Sequence, residues 1–260
     1  MITIDARKCA RDGLCVQACP VNLIRMDGGA VPEEIGGAAD RCIRCGHCVA
    51  VCPTNALDNA LTPAEDYRPV PEDRPDAEAM ENLLVSRRSA RAFRNKPIAR
   101  EQLERLLEAA RRAPTASNAQ QLSWTMIRDP QRLDRVRELS IEWMSGNPAR
   151  SHYVETARQG RDVILRNATA LAVVHGPADY LWTAIDGTIA LTYMELLAAT
   201  MGLGTCWAGL VTAASAAIPD LLPALGVPAG NKVGGAIMLG HPRLKHLLVP
   251  PRNAARVTWL

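Results

Sequence analysis

Outside its first 52 residues this chain has a single cysteine, Cys206, although it carries eight in all. That excludes a network of disulfides stapling the whole protein together. No stretch approaches the roughly 18 consecutive apolar residues of a membrane-spanning helix. The N-terminal MITIDARKCARDG lacks the apolar core of a secretory signal, so neither secretion nor a membrane span is expected. Charge of one sign is not in excess: the net value of +3 points to no polyanionic partner. There is no low-complexity tract and no internal repeat beyond two cysteine runs. No G-x-G-x-x-G appears either, and GLGTCWAG (202–209) does not fit it, lacking a glycine three residues past the second.

What is present begins with cysteine. Cys42, Cys45, Cys48 and Cys52 read C-x2-C-x2-C-x3-C with Pro53 next, and Cys9, Cys15, Cys19 and Pro20 form a second run in which Asp12 stands where a cysteine belongs. Thiolates are soft anionic donors, and loops this short let three of them converge on one face of an iron–sulfur cluster. A disulfide framework is disfavoured by spacing this tight, and a reducing, cytoplasmic location is expected. The later run closely resembles that of bacterial two-cluster ferredoxins, and the earlier one matches it short of one ligand. In that pattern the fourth cysteine of each run crosses to the other cluster. The resemblance therefore implies one [4Fe-4S] cluster on Cys42, Cys45, Cys48 and Cys19, and a second cluster on Cys9, Cys15 and Cys52. Asp12 has three readings. It ligates the fourth iron through a carboxylate oxygen, it leaves that corner labile so that the cluster is [3Fe-4S], or it is a surface acid in a D-G turn.

Composition divides the chain in three. Residues 1–61 are rich in Cys and Gly, with short strand-like pieces at Ile2–Ile4 and Leu23–Met26, and are too small to hold a good apolar core without inorganic clusters. Residues 62–79 carry Pro63, Pro69, Pro71 and Pro75 and read as an extended linker. Residues 80–260 show helical periodicity. Leu103, Leu106, Leu107 and Ala110 mark a helix ended by Pro114, and further helices are expected over 130–144, 153–166, 179–201 and 213–225. Strands are expected over 170–175, 205–211 and 233–240. Strands interleaved with helices imply an α/β or α+β sandwich.

Three polar islands stand out in this larger region. In VSRRSARAF (85–93), Arg87, Arg88, Ser89 and Arg91 supply guanidinium forks and a hydroxyl suited to a phosphate. The bland alternative is a solvated basic stretch. Nucleic acid is discounted, because no aromatic series accompanies the few basic residues. In PTASNAQQLSW (114–124), Asn118 and Gln120 are amides that both donate and accept, as the edge of a heteroaromatic ring requires. In GLGTCWAG, the glycines let backbone N–H groups approach a ligand closely.

Taken in order, R-R-S-x-R-x-F, A-P-T-A-S-N-x-Q, G-L-G-T-C-W-x-G, L-G-H-P and P-P-R resemble the nitroreductase family of FMN-dependent flavoproteins, over residues 81–260. With the cysteine-rich segment, the whole chain looks like a ferredoxin-fused nitroreductase, an α+β sandwich behind a small ferredoxin-like domain. The resemblance implies that Arg87, Arg88, Ser89 and Arg91 hold the FMN phosphate and ribityl chain, and that Asn118 and Gln120 contact the ribityl and ring edge. Ala208 and Gly209 would line the flavin near N5. Arg252 would close on the phosphate, with Arg243 or Lys245 as helpers. His241 stands where relatives carry tyrosine, and Leu248 where many carry arginine. Cys206 reads more readily as a small core residue than as a redox partner. Trp207 either stacks near the ring or fills core. His175 and His241 have no evident partner and are assigned no role.

The family also implies a homodimer with FMN at its interface. The expected activity passes single electrons through two clusters to FMN, which reduces a small nitro, quinone or activated-alkene acceptor by two electrons. Reduced ferredoxin is one candidate external donor and NAD(P)H another. Two alternatives stay open: NAD(P)H reducing FMN with electrons leaving through the clusters, and a redox sensor or electron store without a turnover substrate.

Overall fold

A computed structural model describes residues 1–260, which fold into two compact units. The first comprises Met1–Arg74 with Ser117–Ala119. Its elements are short: β1 (Ile2–Ile4), α1 (Leu14–Ala18), β2 (Ile24–Arg25), β3 (Glu33–Glu34), α2 (Ala38–Arg41), α3 (His47–Ala50) and β4 (Leu57–Asn59). Strand β1 pairs antiparallel with β4, and β2 with β3. The buried centre is Cys15, Ile24, Cys48, Val49 and Leu57, so two of its five members are cysteines.

This unit repeats itself at a fixed offset of thirty-three residues. Arg11, Gly13 and Asn22 have left-handed φ of 57°, 70° and 52°, and Arg44, Gly46 and Asn55 have 55°, 72° and 48°. Gly13 and Gly46 occupy the N-cap of α1 and α3, where a positive φ suits glycine best. The backbone bonds repeat too: Val16 N–H donates to Gly13 as Val49 does to Gly46, and Asn22 to Cys19 as Asn55 does to Cys52. Under this correspondence Asp12 is the counterpart of Cys45.

The second unit comprises Pro75–Ala116 and Gln120–Leu260. Its elements are α4 (Ala77–Ser86), α5 (Arg100–Ala110), β5 (Ser123–Ile127), α6 (Pro130–Ser145), α7 (Ser151–Arg158), β6 (Ala170–Pro177), α8 (Thr183–Thr200), β7 (Gly204–Trp207), α9 (Gly209–Ser215), α10 (Leu221–Ala224) and β8 (Asn231–Gly240). The sheet runs β5-β6-β8-β7, every pair antiparallel. Both faces are covered, which explains why β6 reads as an unbroken apolar run. Leu171 and Val173 point into a core with α6, α7, α9 and α10, whereas Ala170, Ala172 and Val174 point into one with α5 and α8. Helix α8 lies close on the sheet because two crossing points are glycine. A Cβ at Gly187 would meet Val174, and one at Gly234 would meet the Thr183 carbonyl.

Several expected elements take other forms. The segment 62–79 is not extended throughout: Ala64–Asp66 is a 3₁₀ turn, and α4 starts at Ala77, capped by the Asp76 carboxylate accepting from Ala79 N–H at 2.7 Å. The helix expected over 153–166 stops at Arg158. Gly160 turns left-handed, and Asp162 accepts from the N–H groups of Ile164, Leu165 and Asn167, organising a loop instead. The strand expected over 205–211 ends at Trp207, and α9 follows at once. The helix expected over 213–225 splits into α9 and α10 around Pro219, which disfavours helical backbone at Ile218. Strand β5 has a mixed sequence, SWTMI, that does not announce a strand.

Candidate functional site

In the first unit, Cys9, Asp12, Cys15 and Cys52 line one small cavity, walled by apolar groups that include Ile4, Pro32 and Leu57. This is the ligand set expected for the second cluster. Burial pushes the Cys15 thiol up, and the nearby charges of Cys9 and Asp12 push it further, against two backbone hydrogen bonds. Cys48 is raised first by burial, with the charges of Cys45 and Cys19 beside it. Those three belong to the set expected for the first cluster.

Sulfur is further prepared by backbone donors. Leu23 N–H reaches Cys19 Sγ at 3.3 Å, and Ala56 N–H reaches Cys52 Sγ at 3.2 Å, again at matching positions of the repeat. Burial works to raise the Cys52 thiol, yet the hydrogen bonds from Ala56 and Thr54 outweigh it and the net shift is downward. Asp12 Oδ1 accepts from Leu14 N–H at 3.1 Å, which orients the carboxylate. Soft thiolates converging in an enclosed, N–H-lined space fit iron–sulfur clusters.

In the second unit, the first and third polar islands meet. Helix α4 ends at Arg87, and Ser89 then bridges Thr205 in parallel at the edge of β7, with Ala90 N–H donating to the Thr205 carbonyl at 2.8 Å. Glu195, buried on α8, joins the two. It accepts from the Thr205 hydroxyl at 2.9 Å and the Trp207 indole at 3.2 Å, and pairs with the Arg87 guanidinium at 3.5 Å. Cys206 sits beside Ser89 and Arg91. Burial raises its thiol, against the Arg91 charge and a hydrogen bond from Ser89. Arg88 turns back to donate to the Arg87 carbonyl at 2.9 Å. Ala208 is buried, and Gly209 is exposed with open space where a Cβ would stand. A guanidinium and a hydroxyl beside a strand end and an open glycine are a donor set that fits FMN.

The middle island is backbone-strained. Ser117, Asn118 and Gln120 all have left-handed φ, of 50°, 53° and 49°. Asp186 holds its start: one oxygen accepts from Ala116 N–H at 3.1 Å and the other from the Tyr180 hydroxyl at 2.7 Å. Burial and that bond push the Tyr180 hydroxyl up to about 12. Gln120 is exposed, and its N–H donates to the Thr115 hydroxyl. Asn118, grouped with the first unit, donates from Nδ2 to the carbonyls of Ile43 and Arg44 at 2.9 and 3.0 Å. Arg252 lies exposed in the segment after β8.

His175 does have partners: Thr125 at 3.4 Å and Asn231 at 2.9 Å, with burial lowering its pKa. His241 has a buried Nε2 with no partner. Sequence reasoning missed Glu195 and Asp186. Their signal was two acids within an otherwise apolar helix, each requiring a partner when buried.

The Nitroreductase family model matches residues 84–241, and a 4Fe-4S dicluster domain model matches residues 6–56. Among named relatives, an FMN reductase [NAD(P)H] of Bacillus subtilis is 27% identical over 61% of this chain, which spans 64% of that protein's length. An NADPH-flavin oxidoreductase of Vibrio harveyi is 29% identical over 67% of this chain and 70% of its own. A nitroreductase with bound FMN from Desulfitobacterium hafniense superposes with a TM-score of 0.60 at 22% identity, covering 69% of this chain and 97% of the other. A second, also with bound FMN, from Bacteroides fragilis, gives 0.57 at 23% identity, with coverage of 69% and 97%. At those identities the likeness is one of fold.

Proposed function

The chain belongs to the nitroreductase family and carries a dicluster ferredoxin-type domain, and from this we propose that it is an iron–sulfur flavoprotein oxidoreductase. It accepts electrons singly in its cysteine-rich domain and delivers them in pairs to a small nitro, quinone or activated-alkene acceptor. The observation that carries this reading is the presence, in one chain, of a cysteine-lined cavity and of the Arg87–Ser89–Thr205 edge. When bound, the clusters supply one-electron transfer and FMN supplies the step between one- and two-electron chemistry.

The chain's own residues prepare both sites. Cys42, Cys45, Cys48 and Cys19 hold one cluster, and Cys9, Cys15 and Cys52, with Asp12 at the fourth corner, hold the other. Arg87, Arg88, Ser89 and Arg91 bind the FMN phosphate and ribityl chain, with Arg252 reaching it from the exposed C-terminal segment. Gly209, the first residue of α9, offers its backbone N–H to the ring, where donors aimed at developing negative charge are most effective, while Ala208, whose N–H donates to the Ala236 carbonyl at 2.9 Å, lines it. Glu195 orients Arg87 while tying down the strand that precedes Ala208. Gln120 serves the ring edge on a left-handed backbone, the kind of stored strain that functional loops carry, whereas the Asn118 amide is taken up by the Ile43 and Arg44 carbonyls.

A homodimer completes the reading. Trp182, Ile185 and Tyr193 leave an apolar stripe exposed on and beside α8, and Leu247, Leu248 and Trp259 are exposed in the terminal segment. Apolar surface on this scale suits a subunit interface.

A second reading is favoured by the names of the relatives, two of which are NAD(P)H- or NADPH-linked flavin reductases. There NAD(P)H reduces the flavin, and electrons leave through the clusters. Anaerobic stopped-flow separates the two. Flavin bleaching driven by reduced ferredoxin alone, followed by turnover of a nitro or quinone acceptor, is the expected result. Rapid bleaching by NAD(P)H ahead of any cluster reduction reverses the direction, and no turnover with any acceptor leaves only electron storage or sensing.

A further inference from the structure

A cleft of about 1050 Å³ opens in the second unit, and Arg87, Ser89 and Thr205 are not among the residues that line it. Its apolar lining includes Phe93, Pro97 and Leu133, and Arg94, Arg128 and Arg243 stand around it. None of these three guanidiniums has a carboxylate partner. Their positions are set by backbone. Arg94 N–H donates to the His241 carbonyl and Arg243 N–H to the Ala92 carbonyl, both at 2.9 Å, so the two arginines rise from one paired segment. Arg128 is steadied by one Nη2–H bond to the Ile98 carbonyl at 3.1 Å, with its other donors free.

The other charges of the cleft are already committed. Arg137 pairs with Asp134 and Asp162. Asp129 is the N-cap of α6, its carboxylate accepting from Arg132 N–H at 2.8 Å. Positive charge is therefore in excess where the cleft is open. Guanidinium forks recognise phosphate in paired hydrogen bonds, and an apolar floor of this size takes an organic body rather than a bare ion.

We propose that this cleft is a second ligand site, separate from the flavin, for a phosphorylated organic anion of the nucleoside-diphosphate class. Arg94, Arg128 and Arg243 bind the phosphates, and the Phe93–Pro97–Leu133 surface takes the ring. Arg243, named from sequence as a helper at the flavin phosphate, lines this cleft.

Calorimetric titration of the full chain, loaded with FMN and clusters, tests it with ADP, pyrophosphate and adenosine as probes. ADP is expected to bind saturably, pyrophosphate more weakly, and adenosine not at all. Arg94→Ala and Arg128→Ala should each weaken ADP at least about tenfold with FMN content unchanged, since each removes a charge-assisted contact. Asn95→Asp, at an exposed position of the same cleft, should weaken it as well by adding a carboxylate. Equal binding of pyrophosphate and ADP overturns the organic-ligand class. Absence of saturable ADP binding, or variants that bind ADP like the parent, overturns the site. Loss of FMN from the variants overturns its separateness, a result that leaves the oxidoreductase reading standing.

Discussion

The two units reach stability by different means. The second places apolar side chains on both faces of a four-stranded sheet, with Leu171, Val173, Ile237 and Leu239 fully buried, and needs nothing inorganic to do so. The first has no helix longer than five residues, and its small core includes two of the cysteines expected to bind iron. A segment of this size buries too little to offset its ordering entropy. In one, folding prepares a site; in the other, filling the site is part of folding.

The largest effect should follow from removing iron. Anaerobic chelation is expected to unfold residues 1–74 while the sheet of the second unit persists. Hydrogen exchange read by segment checks this, and simultaneous loss of protection in both units would break the contrast. Next comes Glu195→Ala, which leaves Arg87, Thr205 and Trp207 without their shared acceptor. Orphaning buried donors and a half-buried guanidinium should cost the second unit about 3 kcal/mol in denaturant melts and lower FMN occupancy, with iron content unchanged. Glu195→Gln keeps an acceptor for Thr205 and should recover part of the loss.

Asp12→Cys has a smaller effect on stability and a sharp one on composition. It restores the thiolate that the repeat provides at Cys45, and anaerobically purified protein should contain about eight iron atoms per chain, as two four-iron clusters require. Iron counts with EPR decide it, and a three-iron signal unchanged from the parent would exclude position 12 from the cluster. The mildest test concerns His175. Burial lowers its pKa in the folded state, so its contribution is fully present above the unfolded value of about 6.5 and declines as pH falls below it. His175→Gln should flatten that slope of stability between about pH 7 and pH 5 without touching iron content.

Legibility differed between the units for physical reasons. Cys9, Asp12 and Cys15 stand close along one short loop, and the ferredoxin resemblance adds Cys52, so the set that lines one cavity was nameable before any fold was known. Helices α5 and α6 were plain from their apolar period, and in α5 Leu103, Leu106 and Ala110 bury one face. The loop after α7 was not, because Asp162 captures three backbone N–H groups that a helix would otherwise use. Strand β5 was equally hidden, being half-buried and irregular in pattern.

Residue type and short spacing set the chemistry to expect: thiolates suited to iron, guanidiniums and a hydroxyl suited to phosphate, and an aspartate where a cysteine would complete the repeat. The chain carries both locally. Which distant residues meet is set by folding. Arg87, Glu195 and Thr205 meet because the segment after α4 runs along the edge of β7 and α8 packs against the same sheet. Arg94, Arg128 and Arg243 face one cleft for a similar reason. A buried carboxylate or an unpaired guanidinium is defined by its neighbours, and folding alone supplies those.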